Sequence, residues 1–140
     1  MFWAVTFIYR ICIKFTMLNN VLQPQEIEVF YIIPAIRSYL AKALKDSGKS
    51  QKDIAKLFGL RESTVSQYIN GKRATLKLDK KSQEKIKNLA GKIKTQIDVV
   101  SAVQESLIYI EKSQGICEIH KQIATVIPCD CKVCFKKVKS

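Results

Sequence analysis

Acidic residues, histidine, proline and glycine are all scarce in this chain, and each shortage excludes something. Only 3 prolines and 5 glycines occur in 140 residues, and 47% of the residues are apolar. That composition does not suit a disordered chain and leaves room for one ordinary domain plus a small appendage. One histidine, no glycine-rich phosphate loop and no nucleophile beside a base leave little from which to build catalysis, so the chain is not expected to be an enzyme. Asp and Glu total 12 against 24 Lys and Arg, for a formal charge of +12. A small protein this basic is expected to meet a polyanion, either nucleic acid or an anionic membrane face.

Long apolar runs are lacking too. The first 17 residues, MFWAVTFIYRICIKFTM, are apolar and aromatic, but Arg10 and Lys14 interrupt them before the roughly 20 residues a bilayer span requires. The charges follow the apolar run instead of preceding it, which does not suit a secretory signal. The expected location is the cytoplasm, with no membrane partner. Met17 is expected to be the true start, with residues 1–16 arising from a start codon assigned too early.

What is present is a helical pattern throughout, so the expected fold class is all-α. Pro34 fits a first turn better than a helix interior, which predicts a break or kink there and a fresh helix over 34–46, with an apolar stripe of Ile36, Tyr39, Leu40, Ala43 and Leu44. Gly48 stops it.

The stretch SQKDIAKLFGLRESTVSQYINGKR, residues 50–73, reads as two short helices across a glycine turn. Ser50 and Asp53 form an N-terminal cap. Ile54, Ala55 and Phe58 face inward, and Ala55 is small enough for a tight helix crossing. Gly59 takes the left-handed conformation the turn demands, and Leu60 plugs the corner. Val65, Tyr68 and Ile69 form the inner face of the second helix. Its opposite face carries Glu62, Ser63, Thr64, Ser66 and Gln67, short polar groups suited to base edges or phosphates. Asn70 and Gly71 end it, and Lys72 and Arg73 follow where phosphates would pass. Nine basic residues lie between Lys72 and Lys94, against Asp79 and Glu84 alone.

These residues carry a resemblance. Residues 47–73 resemble the Cro/C1 repressor, or XRE-type, helix-turn-helix family. The wider stretch from Glu26 to Arg73, including EVFYIIPAIRSYLAKAL, resembles archaeal transcriptional regulators of that type. It covers a little over a third of the chain. The resemblance implies a compact all-helical DNA-binding domain in which Glu62, Ser63, Thr64 and Gln67 face bases while Gln51, Asn70, Lys72 and Arg73 approach phosphates. Arg61 departs from the Ser or Thr cap common in the family. That departure moves the expected start of the second helix to Ser63 and makes Arg61 a further candidate DNA contact.

Residues 79–114 read as one long helix or two shorter ones, with Gly91 the weak point. Ile86, Ile93, Val100 and Leu107 recur every seven residues, interleaved with Leu89, Val103 and Ile110, with Gln96 the exception. That pattern fits either a dimerising coiled coil or a core helix lying back on the domain.

Four of the five cysteines fall within 18 residues, around the single histidine: Cys117-x2-His120, then Cys129-x-Cys131-x2-Cys134. Such a cluster suits zinc held by three cysteines and His120, or by all four cysteines. It equally suits an iron–sulfur cluster on the four cysteines, or unrelated thiols in a tail. Cys12 stands alone.

The expected organisation is an apolar segment at 1–17, a helix-turn-helix domain at 18–76, a helical connector with possible dimerisation at 77–114, and a Cys/His cluster with a basic tail at 115–140. The leading expectation is a sequence-specific regulator on double-stranded DNA, a homodimer, modulated by a zinc or iron–sulfur site. The alternatives are a metal or redox carrier and an RNA-associated protein using the helix-turn-helix as an adaptor.

Overall fold

The structure, a computed structural model, describes residues 22–123 together with residues 130, 131 and 133. The expectations for residues 1–17, including Cys12 and Met17, lie outside the described residues, as do Cys129 and Cys134. Every regular element among the described residues is helical. We number the α-helices α1 (Pro24–Ile27), α2 (Ile33–Asp46), α3 (Gln51–Phe58), α4 (Glu62–Ile69), α5 (Lys80–Ala90), α6 (Gln96–Lys112) and α7 (Gly115–Ile123).

Helix α1 runs into α2 through one wide π turn, Glu28–Ile32, instead of breaking. The α-helix Ile33–Asp46 carries Pro34 in its first turn, as expected, but it follows the π turn without a break. The Ile33 N–H donates to the Glu28 carbonyl five residues back. Widening the ladder just upstream accommodates a residue that has no N–H and whose ring crowds the preceding turn.

One apolar cluster joins all seven helices. Ile27, Ile32, Ile36, Leu40, Ile54 and Val65 are wholly enclosed within it. Each such side chain contributes about 1.5–3 kcal/mol by leaving water. Helix α2 is the central strut, touching α3, α4, α5 and α6.

Of the two readings for residues 79–114, the chain takes two helices. Helix α5 is capped by Asp79, which accepts from the Ser82 N–H, and ends at Gly91. Thr95 and Asp98 then form a reciprocal capping box that starts α6. The reversal between them folds α6 back along α5, so the seven-residue repeat does not form one straight seam. Ile86, Leu89, Ile93, Leu107 and Ile110 are buried, while Val100 is 66% exposed. Val99 and Ala102 take the inward positions instead, because α6 meets α2, α3 and α5 from a new direction. No described helix is long and apolar enough to cross a membrane.

Candidate nucleic-acid interface

The α3–α4 pair is built as its sequence dictates. Ser50 Oγ accepts the Asp53 N–H at 3.1 Å and donates to the Asp53 carboxylate at 2.7 Å, satisfying an orphan donor at the start of α3. At the other end Gly59 sits at φ 61°, ψ 34°, in the left-handed region. The Gly59 N–H donates to the Ala55 and Lys56 carbonyls, and the Leu60 N–H donates to Ala55 O at 3.0 Å. The last carbonyls of α3 are thus used up while the chain turns.

Arg61 is the N-cap of α4, with extended backbone (φ −73°, ψ 147°) and no side-chain cap. The helix therefore starts at Glu62, one residue earlier than the Arg61 departure suggests. A helix supported by tertiary packing tolerates a missing cap hydrogen bond, and Glu62 in the first turn complements the positive end of its dipole.

Ile54, Ala55, Val65 and Tyr68 are buried, and Phe58, Leu60 and Ile69 are half-buried against the same core. Two hydrogen bonds brace the pair from behind. Ser38 Oγ on α2 donates to the Tyr68 carbonyl at 3.1 Å, fixing the last turn of α4. Gln96 Nε2 donates to the Lys56 carbonyl at 2.8 Å, pinning the start of α6 to the end of α3. Ser38 and Gln96 were not singled out by the sequence as supports. Nothing in their type signals a bond across thirty or forty residues.

The outward face of α4 presents Glu62, Ser63 and Gln67 exposed, with Thr64 and Ser66 half-buried at its edges. Asn70 Nδ2 donates to Ser66 Oγ at 3.2 Å, holding both side chains at the helix end. Gly71, at φ 69°, turns the chain out of the helix, and the Lys72 N–H returns to the Gln67 carbonyl at 3.0 Å. Lys72 and Arg73 are exposed immediately beyond. The Arg73 guanidinium lies 5.8 Å from the centroid of the Tyr68 ring, which steadies it beside the helix. Gln51, half-buried, and Arg61, exposed, occupy the first position of α3 and the cap of α4. The ten residues proposed from the sequence therefore fall on one continuous stretch of two helices and their exits.

Of the cysteine cluster, Cys117, His120 and Cys131 are among the described residues. Cys117 and His120 lie three apart on α7, close to one face. His120 is buried and, among the described residues, its Nε2 has no hydrogen-bond partner, an orphaned polar atom of the kind a metal ligand would be. Cys131 is half-buried. Yet no three His, Cys, Asp or Glu side chains converge among the described residues. Cys129 and Cys134, the other two ligand candidates, lie outside them.

No curated protein and no solved structure matches the chain. Residues 40–98, from mid-α2 into the start of α6, match the model of a helix-turn-helix family of the XRE type, a DNA-binding module.

Proposed function

We propose that this chain is a sequence-specific DNA-binding transcription regulator that acts as a homodimer in the cytoplasm. The observation that carries the reading is the outward face of α4. It is polar, free of aliphatic side chains, braced from beneath by α2, and followed at once by Lys72 and Arg73. Glu62, Ser63, Thr64, Ser66 and Gln67 would face base edges in the major groove. Arg61, Gln51, Asn70, Lys72 and Arg73 would hold the phosphates on either side. Affinity would come mainly from released counterions and preference among sequences from α4. Selection of duplexes from a random library with the full chain tests it. A recovered motif with steep salt dependence supports the proposal, and binding with no preference among sequences overturns it.

The same proposal includes a metal site formed by Cys117, His120, Cys129, Cys131 and Cys134, taking zinc or an iron–sulfur cluster. Its support is the ligand spacing and the unsatisfied Nε2 of His120. Loading would tie α7 to the cysteines that follow it and set the spacing of two recognition helices. Anaerobic purification with metal analysis and an absorbance spectrum separates zinc from iron–sulfur. Equal duplex affinity for holo protein, metal-free protein and Cys131→Ser would remove the regulatory part.

A further inference from the structure

Helix α6 is apolar on two opposite faces. Val99, Ala102, Leu107 and Ile110 are buried against the body of the protein. On the far side Ile97 is 75% exposed, Val100 66% and Ile108 39%, the largest set of exposed aliphatic side chains on one helix among the described residues. Exposed Ser101, Gln104 and Glu111 fill out that side. A helix that is apolar on both faces needs a second covering, and single scattered aliphatics would not line up on one face.

The apolar surface continues sideways. A groove of about 300 Å³ beside the stripe is lined by Leu57, Phe58, Val99, Val100 and Val103, with Arg37 as its one charged residue. A helix stripe alone is small against the roughly 800 Å² per partner of a stable interface, and this groove extends it.

The charges at the two ends decide what the stripe fits. Exposed Lys94 precedes α6, and exposed Glu111, whose carboxyl lies beside Glu28 of the π turn and which Lys112 follows, stands in its last turn. In sequence these two residues are equally far from the Ala102–Val103 peptide bond. So are Ile97 and Ile108, and so are Ser101 and Gln104. A two-fold axis through that bond, with two α6 helices antiparallel, therefore lays Ile97 of each copy on Ile108 of the other. It also sets Lys94 of each copy against Glu111 of the other. Val100 falls level with Glu105, whose carboxylate is already paired with Lys85 at 2.7 Å. A parallel arrangement would place lysine on lysine and glutamate on glutamate, which is unfavourable. The end charges thus favour the antiparallel direction, with Val100 against Glu105 its one mismatch, in a contact that is isologous.

We infer that the outer face of α6 is the surface on which a second copy of this chain docks, antiparallel, about the Ala102–Val103 midpoint. The inference supplies the dimer interface of the regulator proposed above and rests on that reading for its role. Because Gln96 ties the start of α6 to the end of α3, a dimer joined here holds its two helix-turn-helix units at a fixed separation.

Sedimentation equilibrium of the full chain across micromolar concentrations tests it, with Ile97→Asp, Lys94→Glu and the double variant Lys94→Glu/Glu111→Lys. The wild type is expected to dimerise. Ile97→Asp is expected to raise the dissociation constant by at least about thirtyfold, the size of a hot-spot loss, with helicity by circular dichroism unchanged. Lys94→Glu should weaken the dimer, and the double variant should recover it. A wild type monomeric throughout, a dimer indifferent to Ile97→Asp, or no recovery in the double variant would each overturn the inference. Binding of a random-sequence duplex, measured on the same preparations, keeps the two readings apart. A monomer that still binds duplex sinks the interface alone, and a dimer that binds none sinks the regulator alone.

Discussion

Helices α4 and α6 each bury one face in the same core, and they differ in what they show to solvent. The outer side of α4 is Glu62, Ser63 and Gln67, while that of α6 is led by Ile97, Val100 and Ile108. A polar face stays hydrated until a partner offers hydrogen bonds of its own, so α4 suits a wet, charged ligand. An aliphatic face gains only from a dry partner, so α6 suits another protein surface. On the proposed reading, one chain carries two outward helices for two kinds of contact.

The largest effect expected belongs to the core beneath both. Ile54 is fully enclosed, and Ile54→Ala should cost about 2–5 kcal/mol in denaturant unfolding, whereas Ile97→Ala at submicromolar concentration should cost almost nothing. Equal losses would erase the distinction between inner and outer aliphatics. Next comes α4 itself: Gln67→Ala should lower the preference for a selected site over random duplex by about 1–3 kcal/mol, with no change in self-association. Ser50→Ala should cost about 1 kcal/mol of stability by stripping the cap of α3, measured by the shift in melting temperature.

The smallest effect is set by pH at the start of α5. Partial burial pushes the Asp79 carboxyl up, but hydrogen bonds from the Ser82 hydroxyl and nearby backbone N–H groups outweigh it and leave it below the usual carboxylate range. The folded state therefore favours the ionised form. Its stabilisation is present above the unfolded carboxylate range and is lost as pH falls through the lowered folded value. Melting curves of wild type and Asp79→Asn should converge at acid pH and separate towards neutrality. Curves that run parallel at every pH would contradict this cap.

How much of this could be read beforehand follows from how local each feature is. Ser50, Ala55, Gly59 and the polar run after Arg61 obey rules that act within one or two turns, so the α3–α4 pair and its outward face were legible. The π turn before Pro34 was not, because the alternative to breaking a helix depends on whether neighbouring elements hold both halves in line. The seven-residue repeat in 79–114 named inward residues correctly at Ile86, Leu89, Leu107 and Ile110 but not at Val100. The capping box at Thr95 restarts the helix with a different face towards the core. The cysteine spacing told which residues have metal-binding chemistry and nothing of whether tertiary structure brings them together.

The most direct test of the division of labour is a pair of titrations. Duplex affinity is measured for a selected site and for a random sequence, with wild type, Gln67→Ala and Lys72→Ala. The account predicts that Gln67→Ala narrows the gap between the two duplexes, while Lys72→Ala weakens both alike and lowers the salt slope by about one. If the two variants narrowed the gap by the same amount, or if neither altered binding, α4 would not be the helix that reads DNA.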